Sequence, residues 1–172
     1  MNEIIQSLLT RRSIRRYAET QVPDDVLDTV LEAGLYAPSG MNTQGVHLVA
    51  VRDKETRDLL SKLNAAVMGS DRDPFYGAPC VVVVLADPEI YGGWVEDGAL
   101  AMGNMMNAAH ALGLGSCWIH RARQVFDAPE GKALLEKWGL PTHLRGVGNC
   151  ILGYAEEAPE ARPRKDGRIT RV

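Results

Sequence analysis

The chain has 172 residues, 45% of them apolar, and its 19 Lys and Arg against 22 Asp and Glu leave a formal net charge of −3. That length accommodates one substantial hydrophobic core and is short for a second domain, and a mildly acidic chain with 6% aromatic residues lacks the broad basic face that duplex nucleic acid requires. No apolar stretch nears the ~20 residues that span a bilayer and Met1-Asn2-Glu3 does not open an export signal, so no nucleic acid and no membrane partner is expected, and the expected location is cytoplasmic.

Ile4, Ile5, Leu8 and Leu9 recur at helical spacing behind Asn2, and Val26, Leu27, Val30, Leu31 and Leu35 do so again after Pro23, predicting two short amphipathic helices. The second must stop near Ala37, because a residue before proline is pushed out of the α region, and Ser39 to Asn42 then reads as a loop. A first strand is expected from Val46 to Val51 and a third helix around Leu59 to Val67. The polar, glycine-bounded segment from Gly69 to Gly77 is expected to be a mobile surface loop. Pro79 to Leu85 is an unbroken valine-rich run, as in a strand covered on both faces, and so marks the centre of the sheet. From Trp94 to Leu112 nearly every residue is small or apolar; such a helix is buried in a core or in a subunit interface, and one small domain rarely surrounds a helix, which favours the interface. A strand over Ser116 to Ile119, a helix over Lys132 to Trp138 and a strand over Val147 to Leu152 complete the pattern. Ala155 to Val172 is polar and basic and would not fold alone, so it frays or wraps a partner. Helices and strands mix without a regular βαβ beat, which suggests an α+β layered domain.

Gly113-Leu114-Gly115 begins like a dinucleotide-binding loop, yet it leads from a helix into a strand, the reverse of what pyrophosphate binding requires. Cys80, Cys117 and Cys150 lie in apolar runs without a Cys-x-x-Cys pair and read as buried free thiols. His47, His110, His120 and His143 are too scattered for a metal site by spacing. The informative feature is charge. Arg11, Arg12, Arg15 and Arg16 fall within six residues around Ser13, and Arg162, Arg164, Lys165, Arg168 and Arg171 crowd the other end, so nine of the 19 basic residues sit in two terminal segments of a net-negative chain. Guanidinium forks match phosphate oxygens bidentately and a serine hydroxyl adds a neutral donor, so one phosphate monoester bound between the two clusters is expected.

Arg11-Arg12-Ser13-Ile14-Arg15-Arg16-Tyr17, then Ala37-Pro38-Ser39-Gly40-Met41-Asn42-Thr43-Gln44, then Gly113 to Ile119, taken in order and spacing, resemble the FMN-dependent nitroreductase family. The likeness is strong over residues 8–51 and 97–119, fair around Val147 to Tyr154 and weak from Arg52 to Gly77. It implies a layered α+β sandwich with a central mixed, largely antiparallel sheet flanked by helices, and an intertwined homodimer. Residues 1–172 would form a single domain whose tail, 155–172, wraps the partner subunit. Two FMN sites at the interface would each draw on both chains. Within that pattern Arg11, Arg12, Ser13 and Arg15 match the motif that holds the flavin phosphate and ribityl chain, with Arg15 nearest the pyrimidine edge. Pro38, Ser39, Gly40, Asn42 and Gln44 match the loop that comes from the other subunit. Ile119, His120 and Arg121 fall where family backbone groups approach N5 and O4, Arg162 and Arg164 match the carboxy-terminal pair at the phosphate, and Asn64 stands where an asparagine contacts the ring's polar edge.

The resemblance further implies that FMN carries the redox chemistry, with no side chain as nucleophile or acid. NAD(P)H would deliver hydride and leave, and a small-molecule electron acceptor such as a nitroaromatic or quinone would follow in ping-pong order. The alternatives are a specialised flavin reaction of the same superfamily, such as dehalogenation or ring oxidation, and a non-catalytic flavin-binding sensor. Two departures stand out. His120-Arg121 replaces what is often a small or acidic residue followed by glycine, implying a narrower or more cationic pocket, and the excursion between Val67 and Pro79 is short, implying a more open or differently selective one.

Overall fold

The structure, a computed structural model, describes residues 1–172. Its first helix, α1 (Glu3–Thr10), starts where the Asn2 side chain accepts from the Ile4 amide, satisfying one of the free donors of the first turn. Helix α2 (Asp24–Leu35) follows, and a tight turn over Gly40–Asn42, left-handed at Met41 and Asn42, leads into strand β1 (Val46–Val51). Helix α3 (Lys54–Met68) is capped by Asp53 accepting from the Thr56 amide, and it ends at Gly69 in the left-handed conformation at φ +68. Strand β2 (Cys80–Ala86), helix α4 (Trp94–Ala111), strand β3 (Gly115–Ile119), helices α5 (Ala122–Asp127) and α6 (Pro129–Lys137), and strand β4 (Arg145–Gly153) complete the order.

The four strands run β1-β2-β4-β3 and every neighbouring pair is antiparallel. The only parallel element is an isolated bridge between Ser13 and Ser116. Strand β2 lies inside, buried along its whole length, and its side chains divide by parity as the pleat requires. Val81, Val83 and Leu85 join Leu60, Phe75, Phe126 and Leu135 on the side of α3, α5 and α6, whereas Cys80, Val82, Val84 and Ala86 join Val30, Met102 and Met105 on the side of α2 and α4. A sheet covered by helices on both faces is the expected α+β sandwich. A register shift falls between Val84 and Leu85, opposite Gly146 and Gly148 of β4. At Gly146 a β-carbon would stand 2.3 Å from the Ala122 carbonyl, so glycine there lets β4 and α5 meet.

The predicted strands recur within one or two residues of their expected bounds, and three predictions need amendment. Helix α5 was not expected; with six residues it is too short for a helical period to show, though Ala122, Val125 and Phe126 are all buried. Helix α6 begins three residues earlier than expected, with proline at its first turn. The Gly69 to Gly77 segment is tied down rather than loose: the Asp73 carboxylate accepts from Arg57, the Ser61 hydroxyl and the amides of Phe75 and Gly77, and Phe75 is fully buried. The apolar helix α4 splits its surface. Asp97, Gly98, Ala101, Met102, Met105 and Ala109 enter the core, while Leu100 on another face remains 47% exposed. No helix is long and apolar enough to cross a membrane.

Candidate functional site

The segment Arg11 to Tyr17 runs as extended backbone beside the outer strand β3. The Ile14 amide donates to the Ser116 carbonyl at 3.0 Å, and farther on Tyr17 bridges Ala155 at the start of the tail. Ile14 and Tyr17 anchor it from within, both 7% exposed, and the Tyr17 hydroxyl donates to the Ile14 carbonyl. Burial pushes the Tyr17 phenol far up, so it stays neutral. Along this segment none of the four guanidiniums meets a carboxylate: Arg12 donates to the carbonyls of Leu9 and Arg11, Arg16 to that of Glu156, and neither Arg11 nor Arg15 has an ion pair. Arg11 Nη1 is buried without any partner, and so is the Ser116 hydroxyl on the neighbouring strand. A buried donor left unmade costs ~1–3 kcal/mol, and an anion placed here would supply the missing acceptors. His110 of α4 faces the same ground, its Nε2 3.0 Å from the Thr10 hydroxyl. Burial, and then the charges of Arg11 and Arg12, hold its pKa below the ordinary histidine value.

A cleft of about 520 Å³ opens at the end of β3, lined by Arg15, Ile119, His120 and Arg121 on one part and by Met68, Arg72 and Tyr76 on another. Asn64 of α3 stands behind the strand end. It is 1% exposed, its Nδ2 donates to the His120 carbonyl at 2.8 Å, and its Oδ1 is buried unpartnered. The structure thus brings Arg15, Asn64, Ile119, His120 and Arg121 together.

It does not bring the Pro38 to Gln44 loop to that cleft within one chain. Pro38, Ser39 and Gln44 line a separate depression of about 250 Å³ with Asp97 and Ala101. The loop has its own architecture: the Gly40 amide donates to the buried Asp97 carboxylate at 2.9 Å, the Gln44 amide to the Ser39 hydroxyl at 3.0 Å, and the Gln44 side chain to Asn42. A β-carbon on Gly40 would stand 2.0 Å from the Tyr91 ring, so that approach requires glycine. Nor do Arg162 and Arg164 reach the amino-terminal arginines: both are exposed, without a hydrogen bond or ion pair. The convergence of two basic clusters expected from the sequence is therefore not made inside one chain.

Backbone strain falls on the same places. Five residues other than glycine have positive φ: Met41, Asn42 and Gln44 in the loop, and Tyr76 and Arg121 at the cleft. Such conformations persist where surrounding structure over-determines them, and they cluster at ligand clamps. Sequence reasoning passed over Asp97, Arg72, Asp73 and Tyr76. For Asp97 a signal existed, since an acid within an apolar helix needs a partner; for the others the contacts are non-local.

Comparison with known proteins gives the family. The model of the nitroreductase family matches residues 8–70 and 68–154. An FMN reductase [NAD(P)H] of Bacillus subtilis strain 168 is 30% identical over 95% of this chain and 70% of its own. Among solved structures, a nitroreductase with bound FMN from Bacteroides fragilis superposes with a TM-score of 0.92 at 34% identity, covering 100% of both chains. One from Desulfitobacterium hafniense, also with bound FMN, reaches 0.90 at 26% identity, covering 100% of this chain and 99% of that one. The chain belongs to the nitroreductase family.

Proposed function

We propose that this chain, an FMN-dependent NAD(P)H oxidoreductase, reduces nitroaromatic, quinone or similar small organic acceptors in ping-pong order, as a homodimer with FMN at the subunit interface. The observation that carries the reading is the run of guanidiniums at Arg11, Arg12 and Arg15, none of them in an ion pair although the Glu157 carboxylate accepts from the Arg15 amide, leading from a buried orphan donor to an open cleft at the end of β3. These residues fit FMN: Arg11, Arg12 and Ser13 would hold its phosphate, Arg15 the polar edge of its ring, and the backbone of Ile119 to Arg121 the ring's centre. FMN, when bound, would supply the redox chemistry between the nicotinamide donor and the acceptor.

The chain's own contribution is position and field. Asn64 fixes the His120 carbonyl and with it the strand end. Arg15, exposed and without an ion pair, would offer positive charge to a reduced ring that gains negative charge. The homodimer is supported by α1, which has no buried residue and shows Ile4 at 70% and Leu9 at 58% exposure, more apolar surface than a lone helix normally leaves in water. It is supported too by the distance in structure between the Pro38 to Gln44 loop and the cleft, since Ser39, Gly40, Asn42 and Gln44 of one chain would then serve the cleft of the other, as would Arg162 and Arg164 of an extended tail. In this reading residues 1–172 form one domain. Initial rates measured with NAD(P)H against a nitroaromatic or quinone should give parallel double-reciprocal lines; intersecting lines would contradict the ping-pong order, and no turnover with either acceptor class would contradict the substrate assignment.

A further inference from the structure

The cleft carries more positive charge than the flavin reading uses. Three guanidiniums line it, those of Arg15, Arg72 and Arg121, and none has an ion pair. The one carboxylate in the lining, Asp73, is taken up by Arg57, Ser61 and the amides of Phe75 and Gly77. Arg15 belongs to the flavin in the reading above, and only the backbone of Arg121 is assigned there. The side chains of Arg72 and Arg121 are left over.

Their setting is specific. Arg121 sits in the left-handed region at φ 78, ψ 4, a conformation that glycine adopts freely and arginine does not. Tyr76, at φ 53, is the other strained residue of the cleft, and it stays 44% exposed. The Asp73 network holds the backbone on which Arg72 and Tyr76 are mounted. Met68, Pro74 and Tyr76 offer apolar and aromatic surface beside the two cations. A flat ring suits the first and a carboxylate the second, because a guanidinium fork pairs a carboxylate bidentately.

We propose that Arg72 and Arg121 are specificity-determining residues that select an aromatic acceptor bearing a carboxylate. The proposal rests on the oxidoreductase reading above and deepens it. The test pairs 4-nitrobenzoate with 4-nitrobenzamide as acceptors, and unreactive benzoate with benzamide as ligands of the FMN-loaded protein followed by calorimetry. The acid should be preferred about tenfold or more in kcat/KM and in Kd, through KM rather than kcat, and the preference should shrink as salt is raised. Arg72→Gln and Arg121→Gln should each lower the acid-to-amide ratio about fivefold or more, and Arg121→Lys should restore part of it. Should Arg121→Gln fail to hold flavin, Arg72→Gln and the salt dependence still decide. Equal kinetics and equal binding for acid and amide would overturn the proposal and leave the oxidoreductase reading intact. Benzoate preferred in binding while neither nitro compound is reduced would uphold the anion selection and refute the proposed acceptor class. If the Gln variants lose only their NADPH-over-NADH ratio, measured with 4-nitrobenzamide, the cations serve the donor's phosphate and the proposal fails.

Discussion

At Arg11 a single guanidinium nitrogen, buried without a partner, is the most direct local sign that an anion completes this region. Removing that side chain should take away one charge-assisted contact, so Arg11→Ala should weaken FMN binding by roughly tenfold to a hundredfold, read by fluorescence titration; unchanged affinity would remove Arg11 from the phosphate site. His110 gives a second readout that needs no turnover. Its pKa is held down by burial first and by Arg11 and Arg12 next, so a phosphate that neutralises those two charges should move the imidazole pKa upward in an NMR titration. The arginine run was legible in the sequence because four guanidiniums within six residues leave few uses but an anion. Asp97 and Asp73 were not, since each acts through distant chain: Asp97 pins Gly40 from 57 positions away, and Asp73 is fixed by Arg57 and Ser61 of α3.

Among the elements, the segment from Gly69 to Gly77 shows how polar composition misleads. Its sequence reads as loose, yet Phe75 is buried in the core and Asp73 gathers four hydrogen bonds. Burial alone would raise the Asp73 pKa, but the bonds from Ser61, Arg57, Gly77 and Phe75 prevail and set it below the ordinary value of 3.8. A carboxylate whose folded pKa is depressed lends stability that is complete above its unfolded pKa and is lost as pH falls through the folded value. Acidification below about 3.8 should therefore loosen this segment, seen as faster amide exchange at Tyr76 and Gly77. At neutral pH, Asp73→Ala should destabilise the fold by ~1–3 kcal/mol in denaturant unfolding; a wild-type midpoint would contradict the bracing role. Strand β2 was legible because a run of valines suits a strand with two covered faces, while α5, at six residues, was too short to show a period.

For the whole molecule, the chain alone is unfinished. Helix α1 lays Ile4, Ile5, Leu8 and Leu9 open to solvent, the Pro38 to Gln44 loop lies apart from the cleft, and the tail carries five cations with no partner. The proposed homodimer would account for all three. Leu9→Asp should yield monomers that bind FMN poorly, judged by sedimentation equilibrium and flavin content; a dimer with full flavin would place the interface elsewhere. The layered architecture was legible from the mixture of helices and strands, whereas the apolar helix α4, read as an interface helix, has one face covered by the fold itself. The central claim, a flavin site that accepts electrons from a nicotinamide donor, is tested most directly by the visible absorption spectrum of the purified protein, recorded with FMN and then anaerobically with NAD(P)H. Flavin bands that stay with the protein and bleach on adding the donor are the predicted result; failure to retain FMN, or retained bands that NAD(P)H leaves unchanged, would contradict it.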